Sequence, residues 1–236
     1  MNRVTEMHNR ESVRNGADYP QIRRNGRARS RIELPVESPY NPAVSRVKWL
    51  VVVLAGLLLG GLGAWLYYDW REHHQDGPIL AAARRYGVDA ALVKAVVWRE
   101  SRFNPRVRGR AGEIGLMQIT ETAAREWAEA ERLDQFQAEH LLDPATNTLA
   151  GTWYLRKLLR RYPQTDNAVA YALADYNAGR GHVLRWNTGA AATNSAVFLQ
   201  QMTFPGTRKY IEAIARRQRH YASWGAGANV QSRPSQ

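Results

Sequence analysis

The chain has 236 residues, a formal net charge of +12 and no cysteine. That length holds one domain of ordinary size plus extensions. The absence of cysteine excludes disulfides, thiolate metal sites and a lipidated N-terminal cysteine. Excess base points to an anionic partner, which nucleic acid, lipid headgroups or an acidic polymer would each satisfy.

Residues 1–46 mix Arg, Asn, Ser, Pro and Glu with few large apolar side chains and no periodicity. Such a segment buries too little surface to offset its chain entropy and is predicted to be disordered. A nucleic-acid-binding arm is the competing reading, resting on a net +5 over residues 1–48. From Trp49 to Tyr68 runs an uncharged apolar stretch, long enough as a helix to match a hydrocarbon core of about 30 Å. Trp49 at one end and Trp65, Tyr67 and Tyr68 at the other fit two interfacial aromatic belts. The pattern predicts a transmembrane helix over residues 47–68. Arg46 and Lys48 precede it, whereas Asp69 and Glu72 outweigh Arg71 after it. The positive-inside rule then places the N-terminus in the cytoplasm and the rest across the membrane, on a single-pass anchor. A cleaved signal peptide is disfavoured because the apolar run starts near residue 49 and lacks an A-x-A exit. Residues 69–77 are expected to be a linker. His73-His74 within it lack an H-E-x-x-H context and are read as solvated.

The stretch 78–222 reads as helical throughout, with no alternating Val/Ile/Thr-rich run to compete. Pro78 suits a first helical turn ahead of ILAAARRY, with Gly87 as the stop. Asp89 is expected to cap the next helix and Thr120 the one after it. Asp143-Pro144 opens a long helix ended by Pro163, and Asp166 is expected to start NAVAYALADYNA before Gly179. Two further helices are predicted over Ser195–Met202 and Thr207–Tyr221. Residues 223–236, rich in Gly, Ser and Pro, read as a frayed tail. The fold class is therefore all-α, one helical domain preceded by a single transmembrane helix and a disordered N-terminal tail.

Leu92, Val93, Val96 and Val97 form the apolar stripe of the helix that Asp89 opens. Glu100 follows Val93 by seven residues, Val96 by four and Val97 by three, which sets its carboxyl on the stripe's own face at the helix end. Apolar neighbours and the negative end of the helix dipole both disfavour its ionisation, as a general acid near neutral pH requires. The competing reading is an end-of-helix Glu that turns out to pair with Arg99 or Arg102. After Glu100, Gly109, Gly112 and Gly115 punctuate a compact turn leading to Leu116-Met117-Gln118-Ile119.

Glu100-Ser101, Asn104-Pro105, Gly115-Leu116-Met117-Gln118 and Tyr176-Asn177-Ala178-Gly179 stand in that order, with Asp143-Pro144, Asn147, Gly151 and Tyr154-Leu155 between them and Thr207-Arg208 and Tyr210 beyond. In these motifs the chain resembles the lytic transglycosylases with a soluble-lytic-transglycosylase catalytic domain, relatives of goose-type lysozyme. The resemblance covers residues 78–222 and implies a lysozyme-like fold. Two positions depart from the pattern: Gly109 stands where the family commonly has a serine able to bond the catalytic Glu, and Asp175 stands where an alanine usually precedes the Tyr-Asn-Ala-Gly motif.

The resemblance implies cleavage of peptidoglycan glycan strands between N-acetylmuramic acid and N-acetylglucosamine, with Glu100 as general acid and then base. The muramic C6 hydroxyl would attack C1, leaving a 1,6-anhydro end without consuming water. It implies no cofactor and no metal. Ser101, Met117 and Gln118 would line sugar subsites, with Tyr176 and Asn177 at the cleft wall. For Tyr176 a core aromatic, and for Asn177 a helix-end cap, are the competing readings. The implied location is a bacterial inner membrane, with the catalytic domain in the periplasm. No nucleic-acid partner is expected, and protein partners are not legible. Trp127, Trp153 and Tyr154 read as core, and Arg160-Arg161 and Arg216-Arg217-Arg219 as solvated faces. A hydrolytic muramidase, for which Glu113 or Asp175 would supply a second acid, and a non-catalytic wall-binding module of the same fold are the alternatives.

Overall fold

The computed structural model describes residues 42–224, with side chains from Arg46 onward. The disorder expected before Pro42 and the tail after Trp224 lie outside the described residues. The first helix, α1, spans Pro42–His74, so residues 42–46 are helical where disorder was expected. Every side chain from Arg46 to Trp70 is exposed, the leucines, valines and tryptophans included. Among the described residues α1 is the one helix long and apolar enough to cross a bilayer.

The segment expected as a linker is not an extended tether. Helix α1 continues through Asp69–His74, and a second helix, α2, starts at Asp76 and ends at Tyr86. No Gly or Pro interrupts DWREHH, and i,i+4 contacts support it: His73 Nδ1 lies 2.8 Å from the Asp69 carbonyl, and the Trp70 and His74 rings stack at 4.8 Å. At this end Arg71 donates to the Arg102 carbonyl at 2.9 Å, and Glu72 accepts from Arg217 at 3.1 Å. The chain near residue 223 is also tied down. Trp224 donates to Asp76 at 3.1 Å, and Lys94 Nζ lies 4.2 Å from its ring centroid.

Helix α2 ends on Gly87, whose φ of +63° suits a residue without a side chain. Asp89 caps α3, Ala90–Ser101, accepting from the Ala91 N–H at 3.1 Å. The four-residue apolar stripe understates this helix, because every side chain from Ala90 to Val97 is buried. That includes Lys94, which is neutralised by Asp76 at 2.6 Å. Arg102 and Phe103 then take left-handed backbone, with φ of +51° and +61°. Phe103 is buried at this corner, which holds the strained turn and fixes where α3 stops.

Thr120 caps α4, Glu121–Ala130, and Asp143 caps α5, Pro144–Leu159, as expected. Helix α6 spans Ala168–Ala178, and its cap is Asn167 rather than Asp166. The Asp166 carboxylate instead accepts the Ser195 N–H at 2.8 Å, at the start of α8, Ser195–Gln201. Between them lies α7, Arg180–Trp186, which has no counterpart in the sequence reading. The last long helix, α9, spans Pro205–His220. Helix α5 packs on α2, α4 and α6, while α9 packs on α3 and α6. No strand occurs among the described residues; two isolated bridges join Arg108 to Ile114 and Ile114 to Ile119.

Candidate active site

The loop between α3 and α4 is a small double hairpin. The Gly109 N–H donates to the Glu113 carbonyl at 2.7 Å and the Gly115 N–H to the Val107 carbonyl at 2.8 Å; Ile114 and Ile119 exchange bonds at 3.0 and 3.2 Å. Asn147, on α5 and fully buried, clamps this loop. Its Oδ1 accepts the Met117 N–H, while its Nδ2 donates to the carbonyls of Ile114 and Leu141, all at 2.8 Å. Gly115 is required here. Its φ is +78°, and a Cβ would lie 2.4 Å from the Leu141 carbonyl oxygen and 2.2 Å from Asn147 Nδ2. Gly151 clears the space in which Met117 packs, since a Cβ there would meet Met117 Sδ at 2.5 Å.

This loop forms one wall of a cleft of about 320 Å³. Glu100 lies in it, half-buried, with Gln118, Glu113, Arg110 and Gly109 from the loop and Tyr154, Tyr176 and Asn177 from α5 and α6. Burial pushes the Glu100 carboxyl above its ordinary pKa; the Tyr210 hydrogen bond and the Arg99 charge work against this, and the Glu113 charge adds to it. Tyr210, on α9, donates its hydroxyl to Glu100 Oε1 at 2.5 Å. Burial and the nearby Glu100 charge hold the Tyr210 phenol well above its usual pKa, so it remains a donor. With Oε1 accepting, the proton of the acid form belongs on Oε2, the oxygen left for a substrate.

The structure brings Glu100, Gln118, Tyr176 and Asn177 into one cleft and leaves two expected members behind it. Ser101 is buried, with its hydroxyl donating to the Val97 carbonyl at 3.1 Å. The Met117 side chain is wholly buried against Gly151 and Thr152. Neither side chain lines the cleft, because one satisfies its own helix and the other fills the α5 interface. Tyr176 donates to the Met117 carbonyl at 2.7 Å, so its hydroxyl braces the loop rather than Glu100. Gln118, with φ of +46°, commits its amide nitrogen to the carbonyls of Val107 and Gly115, which leaves its Oε1 uncommitted. Asn177 is exposed and accepts from the Thr207 hydroxyl at 2.9 Å, so it is not a helix cap.

Asp175 is turned away from the cleft. It is buried, held by Arg161 at 2.5 Å and Tyr162 at 2.7 Å. Arg161 is therefore paired rather than solvated. Trp127 is core as expected, donating to Tyr86 at 2.7 Å, but Tyr154 lines the cleft. Sequence reasoning missed the roles of Tyr210 and Asn147, although both residues were among its motif matches. No cluster of metal-binding side chains occurs among the described residues.

This architecture and these motifs have known counterparts. The chain is 37% identical over 129 residues to the membrane-bound lytic murein transglycosylase F of Desulfosudis oleivorans, covering 50% of this chain and 26% of that protein. It is 37% identical over 125 residues to the membrane-bound lytic murein transglycosylase C of Shigella sonnei, covering 50% of this chain and 35% of that one. The chain thus spans about a third or less of these relatives' length. The fold is like that of the lytic transglycosylase Slt of Pseudomonas aeruginosa, with a TM-score of 0.57 at 23% identity over 63% of this chain and 24% of that one. It is also like the 70 kDa soluble lytic transglycosylase of Escherichia coli, at 0.54 and 27% over 61% of this chain and 24% of that one. Residues 77–199, just over half of the chain, match the family model of the transglycosylase SLT domain, and the chain belongs to that family.

Proposed function

We propose that this chain is a membrane-anchored lytic transglycosylase that cleaves peptidoglycan between N-acetylmuramic acid and N-acetylglucosamine. The observation that carries the reading is the Glu100 carboxyl, half-buried in the cleft, with its pKa raised and one oxygen fixed by Tyr210. Glu100 Oε2 gives its proton to the bridging oxygen as the muramic C1–O bond breaks. The carboxylate so formed then takes the proton of the muramic C6 hydroxyl, whose oxygen bonds to C1. Atoms balance without water, and the intramolecular nucleophile benefits from a high effective concentration. Gln118, Tyr154 and Asn177 are placed to contact sugar along the cleft, while Ser101 and Met117 shape it from behind. The exposed apolar helix α1, the two membrane-bound relatives and the charge bias around residues 46–72 support an inner-membrane anchor with the cleft in the periplasm.

Hydrolysis by water is the second reading, favoured by Glu113, which lines the same cleft. Asp175 does not serve it, because its carboxylate is buried on Arg161 and Tyr162. A two-carboxylate hydrolase needs its second acid on the face where water attacks. Mass spectrometry of fragments released from purified peptidoglycan by the full chain in detergent micelles separates the two. Anhydromuramic ends are expected; reducing muramic ends would overturn the transglycosylase reading.

A further inference from the structure

Gly109 and Glu113 form one arrangement. A Cβ built on Gly109 would lie 2.1 Å from Glu113 Oε2 and 2.9 Å from its Cδ, so the carboxylate fills the volume that a side chain at position 109 would need. Backbone conformation does not demand this glycine, because Gly109 is not among the residues with positive φ. The room it leaves does. The Glu113 carboxylate is held there by the Ala111 N–H at 3.0 Å, within a hairpin closed by the Gly109 N–H on the Glu113 carbonyl at 2.7 Å. It faces the cleft that Glu100 occupies.

We infer that Glu113 is a positioning residue for Glu100, a carboxylate lining the same cleft, seated in the space that Gly109 leaves open. It takes the place of the loop serine that Gly109 lacks and acts on Glu100 through its field. A like charge across a partly desolvated cleft disfavours the ionised form of Glu100, and Glu113 works in this direction on Glu100, behind the larger effect of burial. Tyr210 from α9 and Arg99 from its own helix both favour ionisation of Glu100; the Tyr176 phenol from α6, Tyr154 from α5 and the Arg110 guanidinium from the loop also face the cleft. Glu113 is the one anion of the set. It counters part of the Tyr210 and Arg99 effects and so extends the pH range over which the acid form meets substrate.

This inference rests on Glu100 as the general acid, and the test keeps the two apart. The full chain in detergent micelles is assayed on purified peptidoglycan, with kcat and KM followed across pH. Glu113→Gln keeps the shape and still accepts the Ala111 N–H. It is expected to move the basic limb of kcat/KM to lower pH, with a severalfold loss at neutral pH, little loss in acid and an unchanged KM. Gly109→Ser displaces the flexible end of Glu113 and crowds Gln118 Oε1, 3.0 Å from the added Cβ, so it is expected to give the same shift in the basic limb. The double variant is expected to lose no more than either single one. An unmoved basic limb, a loss uniform across pH, or additive losses would overturn the inference. Glu100→Gln is run alongside. If it is inactive while Glu113→Gln follows the wild-type profile, only the role of Glu113 fails; if Glu100→Gln is active, the reading beneath it fails.

Discussion

Replacing Glu100 by Gln is expected to reduce the release of glycan fragments by about 10²–10⁴-fold, toward the upper end because in the proposed mechanism one carboxyl performs both proton transfers. The substitution is nearly isosteric. The amide oxygen still accepts from the Tyr210 hydroxyl, which lies 2.5 Å from Glu100 Oε1. What is lost is the proton on the other oxygen, since an amide nitrogen neither protonates a bridging oxygen nor takes a proton from a hydroxyl. KM is expected to change little, because the hydrogen-bonding surface of the cleft is preserved. Soluble fragments measured by liquid chromatography give the rate. A variant within tenfold of wild type would remove Glu100 from the chemistry.

Asn147→Ala is expected to cost on the order of 3–5 kcal/mol of stability and to abolish activity. Asn147 has no exposed surface, and its amide holds three backbone groups: the Met117 N–H and the carbonyls of Ile114 and Leu141. Alanine would leave all three buried with no side-chain partner. It would also release the turn that aims Gln118 at the cleft and gives Tyr176 its Met117 carbonyl. Circular dichroism during urea unfolding gives the stability, and fragment release gives the activity. Wild-type values in both would show that the loop holds itself. Asn147→Asp, which keeps the acceptor and loses both donations, is expected to fall between.

The parts of this molecule that sequence made legible are those with local causes. Asp89, Thr120 and Asp143 each cap a helix within three residues of themselves, and that signal lies in a few adjacent letters. At Asp166-Asn167 two competent caps stand side by side. The choice was made by Ser195, 29 residues away, which claims the aspartate. Helix α7 has seven residues, too few for a periodicity to declare itself. Glu100 could be placed because its spacing from Val93, Val96 and Val97 set it on an apolar face. Its partner Tyr210 lies 110 residues further on and leaves no mark in any local window. Ser101 and Met117 sit inside short motifs, and a motif does not tell which of its members turn inward to pack. The same limit hid the relation between Gly109 and Glu113, which is a matter of volume.

The sheltered position of Glu100 also has a thermodynamic side. Its pKa lies higher in the folded chain than the ordinary carboxyl value expected after unfolding. Between those two values the native state holds a proton that the denatured state releases. Resistance to unfolding therefore declines as pH rises through that window and levels off above the folded value. The glutamine variant has nothing to titrate there, so its melting temperature is expected to gain on that of the wild type from about pH 4 to neutrality. Scanning calorimetry at the two ends of that range would register the difference. A carboxyl sheltered in this way ties the stability of the fold to the pH at which it keeps its proton.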